Sequence, residues 1–90
     1  MSKIGEIRAL VRNGMYYLAE HAYDEAEDDD LDVYDVEFAL LNGRIRRSWP
    51  REAKYEIVGL ALDGSPIGIV CRITSGGKVR VITVYKDESR

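Results

Sequence analysis

The chain has 90 residues, of which 46% are hydrophobic and 32% are charged, and this composition excludes an intrinsically disordered protein. A chain of this length encloses one hydrophobic core, so residues 1–90 are predicted to form a single domain. Its single cysteine excludes an internal disulfide, its N-terminus lacks the apolar run of a signal peptide, and no segment reaches the roughly 20 apolar residues that cross a bilayer, which predicts a cytoplasmic protein without membrane contact.

The first half of the chain carries apolar residues at helical spacing. Three short helices are predicted within about residues 2–42, over residues 2–13, 15–29 and 32–42. Ser2 and Asp32 are favourable N-caps for the first and third helices, because their side chains can accept hydrogen bonds from the first turn. Both helices should end at an Asn-Gly pair, where glycine adopts a left-handed cap at little cost.

From Gly43 onward the apolar residues alternate, which is the period of a strand. Four strands are predicted within about residues 44–86, over residues 45–49, 54–62, 67–74 and 79–86. The turns between them are marked by Pro50, Asp63-Gly64 and Gly76-Gly77. The predicted fold class is therefore α+β, with N-terminal short helices packed on one face of a four-stranded antiparallel sheet.

The two hairpin loops decide which side chains share a face of this sheet. Loops with an even number of residues are favoured at both, and they place these residues under the helices: Val58, Leu60, Leu62, Ile67, Ile69, Cys71, Ile73, Ile82 and Val84. The opposite face then carries Tyr55, Ile57, Gly59, Ala61, Gly68, Val70, Arg72, Val79, Val81, Thr83 and Tyr85. Because Gly59 and Gly68 have no side chains, this face contains a shallow depression that either a ligand or another protein element could occupy.

Charged residues are unevenly distributed along the chain. Residues 20–37 contain ten acidic residues and no Lys or Arg, so this segment repels phosphate. Basic residues gather in the second half, at Arg44, Arg46, Arg47, Arg51, Lys54, Arg72, Lys78 and Arg80. A nucleic-acid surface is therefore expected there. The basic strand of Arg44, Arg46 and Arg47, followed by Trp49, suits single-stranded nucleic acid, although an edge strand protected from aggregation shows the same pattern.

Three residues are candidates for catalysis. His21 is the single histidine, and its reference pKa of about 6.5 suits a general base, although a helical ion pair with Glu25 explains it equally well. Arg72 lies in the middle of a predicted strand, where it could bind a phosphate. Tyr85 could stack on a base or pass a proton through its hydroxyl, and it should lie about 13 Å along the strands from the level of Arg72.

No motif predicts a metal or cofactor site. The acidic run at residues 28–30 with Asp32 lacks the glycine and glutamate positions of an EF-hand loop, so a solvated helix end is the better interpretation. Cys71 alternates with Ile69 and Ile73 on the predicted core face. It is therefore expected to be a buried small hydrophobe and not a nucleophile.

The string EHAYDEAEDDDLDVYDVEFALLNGRI, followed by a meander ending in VRVITVY, resembles the bacterial family called domain of unknown function 4258. The resemblance runs from about Ile7 to Asp87. It implies a relationship to the RelE, ParE and MqsR toxins, a RelE- or barnase-like fold, metal-independent cleavage of RNA and neutralisation by a protein antitoxin. The family positions that carry over are His21, Arg72, Thr83 and Tyr85. Many members carry arginines where this chain has Glu25 and Asp29.

The leading hypothesis is a metal-independent endoribonuclease toxin of a bacterial toxin–antitoxin module, with RNA as its substrate and an antitoxin protein as its partner. His21 or a tyrosine would activate the ribose 2′-OH, and Arg72 would stabilise the charged phosphorane. Tyr85 or Lys54 would protonate the leaving oxygen. The expected substrate-binding residues are Lys54, Tyr55, Thr83, Arg46 and Arg47.

Two other classes of function remain open on the sequence alone. One is a non-catalytic protein-binding module that keeps the toxin-like fold and recruits a basic partner through its acidic helices. The other is a small-molecule enzyme that uses the glycine-floored depression. A nuclease requires an open, basic second face, whereas a small-molecule enzyme requires a closed pocket.

Overall fold

A computed structural model describes residues 2–88 of the chain and shows a mixed α+β fold. The elements in this part of the chain are α1 (Lys3–Arg12), β1 (Tyr16–Leu18), α2 (Glu20–Asp28), α3 (Val33–Asn42), β2 (Arg44–Trp49), a short 3-10 turn (Pro50–Glu52), β3 (Lys54–Leu60), β4 (Pro66–Ile73) and β5 (Val79–Lys86). The strand order is β1-β5-β4-β3-β2, with β1 parallel to β5 and the other neighbours antiparallel. The α+β class is confirmed, but the predicted count of four strands is wrong, because the sheet has five.

The additional strand replaces the start of the second predicted helix. Val79 N donates to Met15 O and Ala19 N donates to Val81 O, each at 2.9 Å, so the chain before α2 is extended along β5. The helix therefore begins at Glu20 and not at Met15. The helical spacing of apolar residues from Met15 was misleading because pairing with a strand more than 60 residues away (residue 79 against residue 16) is invisible to local periodicity.

The predicted N-caps are confirmed. Ser2 Oγ accepts a hydrogen bond from Gly5 N at 3.1 Å, and the Asp32 side chain forms a capping box with Asp35. Gly43 differs from expectation because its φ of −83° is not left-handed. Glycine is needed there for space, since a Cβ would lie 2.5 Å from the carbonyl oxygen of Val58.

The hydrophobic core lies between the helices and one face of the sheet. Its fully buried members come from both layers and include Ile7, Val11, Val36, Leu40, Ile57, Ile67, Ile69, Cys71, Val79, Val81 and Val84. Helix α3 packs on β3 and α2 packs on β5. Within residues 2–88, no helix is long and apolar enough to cross a membrane.

The loop between β3 and β4 has an odd number of residues, which corrects the predicted facing of β3. Leu60 is opposite Pro66, so residues 61–65 form the loop, and Ile57 is opposite Ile69. Tyr55 and Ile57 therefore point toward the helices and are buried, contrary to prediction. The residue count is odd because the hairpin closes on a three-residue turn: Ala61 N donates to Ser65 O at 2.8 Å, Gly64 N donates to Ala61 O at 2.9 Å, and Gly64 has a left-handed φ of +89°.

Gly59 also faces the helices, so half of the predicted glycine-floored depression does not exist. A Cβ at this position would lie 2.6 Å from the carbonyl oxygen of Ala39. Ala61 is buried, whereas Leu60 and Leu62, which were expected in the core, are 47% and 59% exposed. The odd loop turns β3 over, so Ala61, predicted on the second face, is buried, and the two leucines, predicted in the core, face solvent.

The β4–β5 hairpin also has an odd loop, over residues 74–78, but a β-bulge opposite Val70 and Cys71 shifts the register again. Before the bulge, Val79 and Val81 face the helices and are buried, contrary to prediction. After it, Thr83 pairs with Val70 and Tyr85 pairs with Gly68. The predicted grouping of Arg72, Thr83 and Tyr85 on the second face is therefore confirmed.

We call this second side of the sheet, opposite the helices, the open face. It carries Arg46, Arg47, Lys54, Glu56, Gly68, Val70, Arg72, Arg80, Thr83 and Tyr85. Helices α2 and α3 pack on the other side of the sheet. Helix α1 also lies there, because Lys3 Nζ is 5.9 Å from the ring centroid of Tyr55, which points to that side. The open face is therefore the broad surface on which a ligand can lie.

Candidate functional site

Three cations form a row across the open face. Lys54 is directly opposite Arg72, and Arg72 is directly opposite Arg80, on strands β3, β4 and β5. Neighbouring strands lie about 4.8 Å apart, so these side chains leave the sheet close together. Like charges placed directly opposite each other are unfavourable, and a bound anion would remove that cost.

An aromatic side chain stands at each end of the row. Trp49 is opposite Lys54, whose Nζ lies 4.8 Å from the centroid of the indole ring. Tyr17, on β1, is opposite Arg80 of β5 and is 42% exposed. We refer to Trp49, Lys54, Arg72, Arg80 and Tyr17 together as the cationic row.

Arg72 is the centre of the cationic row. Its Nη2 lies 3.6 Å from Glu52 Oε1, and both side chains remain accessible to solvent. Its Nε is shielded from solvent and has no hydrogen-bond partner within residues 2–88. A guanidinium with such a long ion pair keeps donors that can reach a phosphate.

A second group of polar residues lies beside the row, around Glu56. The Tyr85 hydroxyl donates a short hydrogen bond to Glu56 Oε2 and accepts one from Arg46 Nη2 at 2.6 Å. Arg46 Nη1 lies 3.2 Å from both carboxylate oxygens of Asp87. Arg47 Nε lies 3.6 Å from Glu56 Oε1. We call these five residues the Glu56 cluster.

Two local features of the backbone assemble this cluster. A β-bulge in β2 between Ile45 and Arg47 shifts the register with β3, so that two consecutive arginines, Arg46 and Arg47, contact Glu56. On β4, Gly68 lets the Tyr85 ring lie on the sheet, because a Cβ at this position would overlap the ring. This close approach explains a glycine in the middle of a strand.

The pKa values of Glu56 and Tyr85, which share a hydrogen bond, are shifted in opposite directions. The hydrogen bond from Tyr85, followed by that from Arg46, lowers the pKa of Glu56 below its ordinary value, against an opposing effect of desolvation. Desolvation, followed by the hydrogen bond to Glu56, raises the pKa of Tyr85. At neutral pH the cluster therefore contains a carboxylate and a protonated phenol.

His21 has a different set of neighbours from Arg72 and Tyr85. It lies in the first turn of α2 with its side chain 75% exposed, and its Nε2 is 3.2 Å from Glu25 Oε2. The other oxygen of Glu25 accepts a hydrogen bond from Val84 N at 3.1 Å. The pairing with Glu25 that the sequence allowed is therefore formed, at the edge of the sheet.

Most of the predicted substrate-binding residues lie on the open face, and one does not. Lys54 belongs to the cationic row, Arg46 and Arg47 belong to the Glu56 cluster, and Thr83 lies between the two on β5. Tyr55 is 5% exposed on the helix side, so its predicted role in the second face is wrong.

Sequence reasoning missed Glu56 and Arg80. Glu56 sits between Tyr55 and Ile57, and the predicted facing would have turned its carboxylate toward the core. A carboxylate inside an otherwise apolar strand is itself a signal, because such a group is seldom buried without partners. Arg80 was counted among the basic residues but was not placed opposite Arg72.

Cys71 is buried, as predicted. Burial raises the pKa of its thiol to about 12, so the thiolate needed for nucleophilic chemistry does not form near neutral pH. Among residues 2–88, no cluster of three or more His, Cys, Asp and Glu side chains is arranged to hold a metal ion.

Comparison with known proteins identifies one family. The family described as Domain of unknown function (DUF4258) matches residues 18–86, which is most of the chain. The chain therefore belongs to this family. No curated protein and no solved structure matches the chain.

Proposed function

We propose that this family member binds single-stranded RNA on its open face and cleaves it without a metal ion, as a toxin similar to RelE or MqsR. The observation that carries the proposal is the cationic row, in which three cations are flanked by an aromatic ring at each end. Cations that follow a phosphate backbone, together with rings on which bases stack, are what single-stranded nucleic acids require.

The dimensions of the row suit an extended strand. Lys54, Arg72 and Arg80 span two strand spacings, about 10 Å, and run perpendicular to the strands. Trp49 and Tyr17 lie one further strand away on either side. An RNA strand laid along the row would place phosphates over the cations and bases at the rings.

The distribution of charge supports the same orientation of the ligand. The net charge is −3, but the ten acidic residues between positions 20 and 37 lie in and around α2 and α3. These helices pack on the other side of the sheet. A polyanion is therefore repelled from the helices and attracted to the open face.

Cleavage by the ribose 2′-OH needs a base, a cation and an acid. Arg72 supplies the cation, and Lys54, its cross-strand neighbour, supplies the acid for the leaving oxygen. The hydroxyl proton of Tyr85 is already donated to Glu56, which makes Tyr85 the weaker candidate for that acid.

Binding is tested with an RNA oligonucleotide that carries 2′-O-methyl groups and cannot be cleaved. Lys54→Ala and Arg80→Ala should each weaken binding about fivefold to tenfold, and each should reduce the slope of log K against log salt by about 0.7, because one phosphate contact is lost. Fluorescence anisotropy at several salt concentrations measures both quantities. Arg12→Ala is the matched control, since this exposed cation lies on α1. Equal affinities and slopes in all four proteins would reject the proposal.

A second candidate function is protein binding, and a specific surface favours it. Tyr34 and Phe38, one turn apart on α3, are 63% and 41% exposed, and Leu60 at the end of β3 and Leu62 in the following loop are also exposed. Helix α3 holds both leucines, because Asn42 Oδ1 accepts from Leu60 N at 2.9 Å and Asp35 Oδ1 accepts from Leu62 N at 3.0 Å. We propose that this apolar surface, beside the acidic helices, docks a basic protein such as an antitoxin.

The docking surface is tested with the double variant Phe38→Ser and Leu62→Ser. A basic protein that copurifies with the wild type from the native host should be lost from the double variant, because its apolar contacts are removed. Tyr23→Ser is the control, since Tyr23 is 55% exposed on α2. Quantitative mass spectrometry of the copurified proteins measures the result, and equal recovery with all three proteins would contradict it.

A further inference from the structure

We infer that Glu56, and not His21, is the general base that activates the ribose 2′-OH, and that Tyr85 is the residue that positions it. This inference rests on the proposed RNA cleavage and adds a catalytic residue to it. The structural basis is the Glu56 cluster and its location beside the cationic row.

Glu56 lies next to the position proposed for the scissile phosphate. It is two residues from Lys54 on the same side of β3, a separation of about 6.6 Å along the strand. Its cross-strand neighbours are Val70 on β4 and, one strand further, Thr83 on β5. A phosphate held by Lys54 and Arg72 would therefore place its ribose over Val70 and Thr83, beside the carboxylate.

The two carboxylate oxygens of Glu56 have different environments. Oε2 is held by Tyr85 and Arg46, which fixes the orientation of the group. Oε1 accepts no hydrogen bond from residues 2–88 and is shielded from solvent, with Arg47 Nε at 3.6 Å. A shielded carboxylate oxygen without a hydrogen bond costs stability, and a group of this kind at a candidate site points to a functional role.

Arg47 is the side chain that would uncover Oε1. It is 70% exposed and is joined to Glu56 by a long ion pair, so an RNA phosphate can draw its guanidinium away. Oε1 then becomes accessible when RNA is present. Arg47 in turn gains a phosphate contact beside the reacting bond.

The open face supplies both the proton acceptor and the proton donor that the cleavage step needs. Glu56 Oε1 takes the proton of the 2′-OH, and the O2′ electron pair forms the new bond to phosphorus. The bond from phosphorus to O5′ breaks, and O5′ leaves with the bonding electrons and takes a proton from the Lys54 ammonium. The products are a 2′,3′-cyclic phosphate and a 5′-hydroxyl, and both side chains then exchange protons with water.

The inference is tested with an oligonucleotide that contains one ribose in an otherwise 2′-deoxy strand. Glu56→Gln should lower kcat about 100-fold or more, because a positioned base contributes at least that factor, while affinity for the all-deoxy strand changes less than threefold. Denaturant unfolding verifies that the variant is folded. His21→Ala, measured in parallel, should lower kcat less than threefold.

The pH profile separates a base from a merely structural residue and does not depend on a stable Gln variant. The charged and titratable groups around Glu56 are Arg46 and Arg47 from β2, Tyr85 from β5 and Lys54 on β3 itself, whereas β4 presents Val70. Asp87, after β5, is paired with Arg46. The acidic limb of kcat/KM should lie below the ordinary carboxyl range, since the cluster lowers the pKa of Glu56. In Tyr85→Phe the limb should move to higher pH, because the hydrogen bond that contributes most to the lowered pKa is removed.

Each other outcome has a distinct meaning. If the wild type cleaves but Glu56→Gln retains its kcat, or the acidic limb stays in place in Tyr85→Phe, Glu56 is not the base although the ribonuclease stands. If His21→Ala alone removes the activity, the base is the histidine. If the wild type does not cleave the strand at any pH, the proposed function fails and this assignment fails with it.

Discussion

Replacing Arg72 with alanine should lower kcat for RNA cleavage about 100-fold to 1,000-fold while weakening RNA binding only about tenfold. The unequal effect is expected because charge accumulates on the phosphorane in the transition state, where a guanidinium at the centre of the cationic row is most favourable. Lys54 and Arg80 remain on either side of the variant position and continue to hold the ground-state phosphates. Arg72→Lys should recover only part of kcat, since an ammonium lacks the planar pair of donors.

Steady-state kinetics with the single-ribose strand measure this prediction, and Arg12→Ala on α1 again serves as the control. The loss should appear equally in kcat and in kcat/KM beyond the small binding effect. An increase in KM with unchanged kcat would show that Arg72 binds substrate and transition state equally well. Arg72 would then be a binding residue, and the phosphorane would need another cation.

The helices were predictable from sequence where the signals are local. Ser2 and Asp32 cap their helices through hydrogen bonds to residues two or three positions away, so each signal lies within one turn of chain. Strand β1 was not predictable, because its partner is Val79–Val81 and its own residues satisfy a helical period equally well. The fold class followed from periodicity, whereas the strand count depended on a long-range pairing.

Which residues share the open face depends on whether each hairpin loop has an odd or an even number of residues, and the sequence does not determine this. A single extra residue in the β3–β4 loop turned Tyr55 inward and Glu56 outward. In β5 an odd loop and a bulge cancelled each other, so Thr83 and Tyr85 returned to the side of Arg72. The predicted open-face residues of β4 and late β5 were therefore right, although neither the odd loop nor the bulge was foreseen.

The two candidate bases, His21 and Glu56, were chosen on different grounds: one by its residue type and the other by its neighbours in the fold. His21 was selected because of its reference pKa, which is a property of the residue type. Glu56 is selected by its position, because a tyrosine, two arginines and a cationic row surround it. Those neighbours come from β2, β4 and β5, and only the sheet register brings them together.

Gly68→Ala should destabilise the protein by about 2 kcal/mol and also lower cleavage about tenfold or more. The new Cβ overlaps the Tyr85 ring, so the ring must leave its place on the sheet. Overpacking of this kind costs about 1–3 kcal/mol, and it exceeds the small gain from replacing a strand glycine. The displaced hydroxyl no longer reaches Glu56, and the acidic limb of kcat/KM should move to higher pH, as in Tyr85→Phe.

A double-mutant cycle isolates the contact between Gly68 and Tyr85 from the general effect of a new methyl group. When Tyr85 is first replaced by alanine, the ring is absent, and Gly68→Ala should then cost less than about 0.5 kcal/mol in urea unfolding. Gly76→Ala is the control, because its Cβ would meet only Thr74 Oγ1 at 3.8 Å. If Gly68→Ala costs the same with and without the Tyr85 ring, the ring does not lie on Gly68. The orientation of Glu56 would then have a different origin, and Tyr85 would lose its role as the positioning residue.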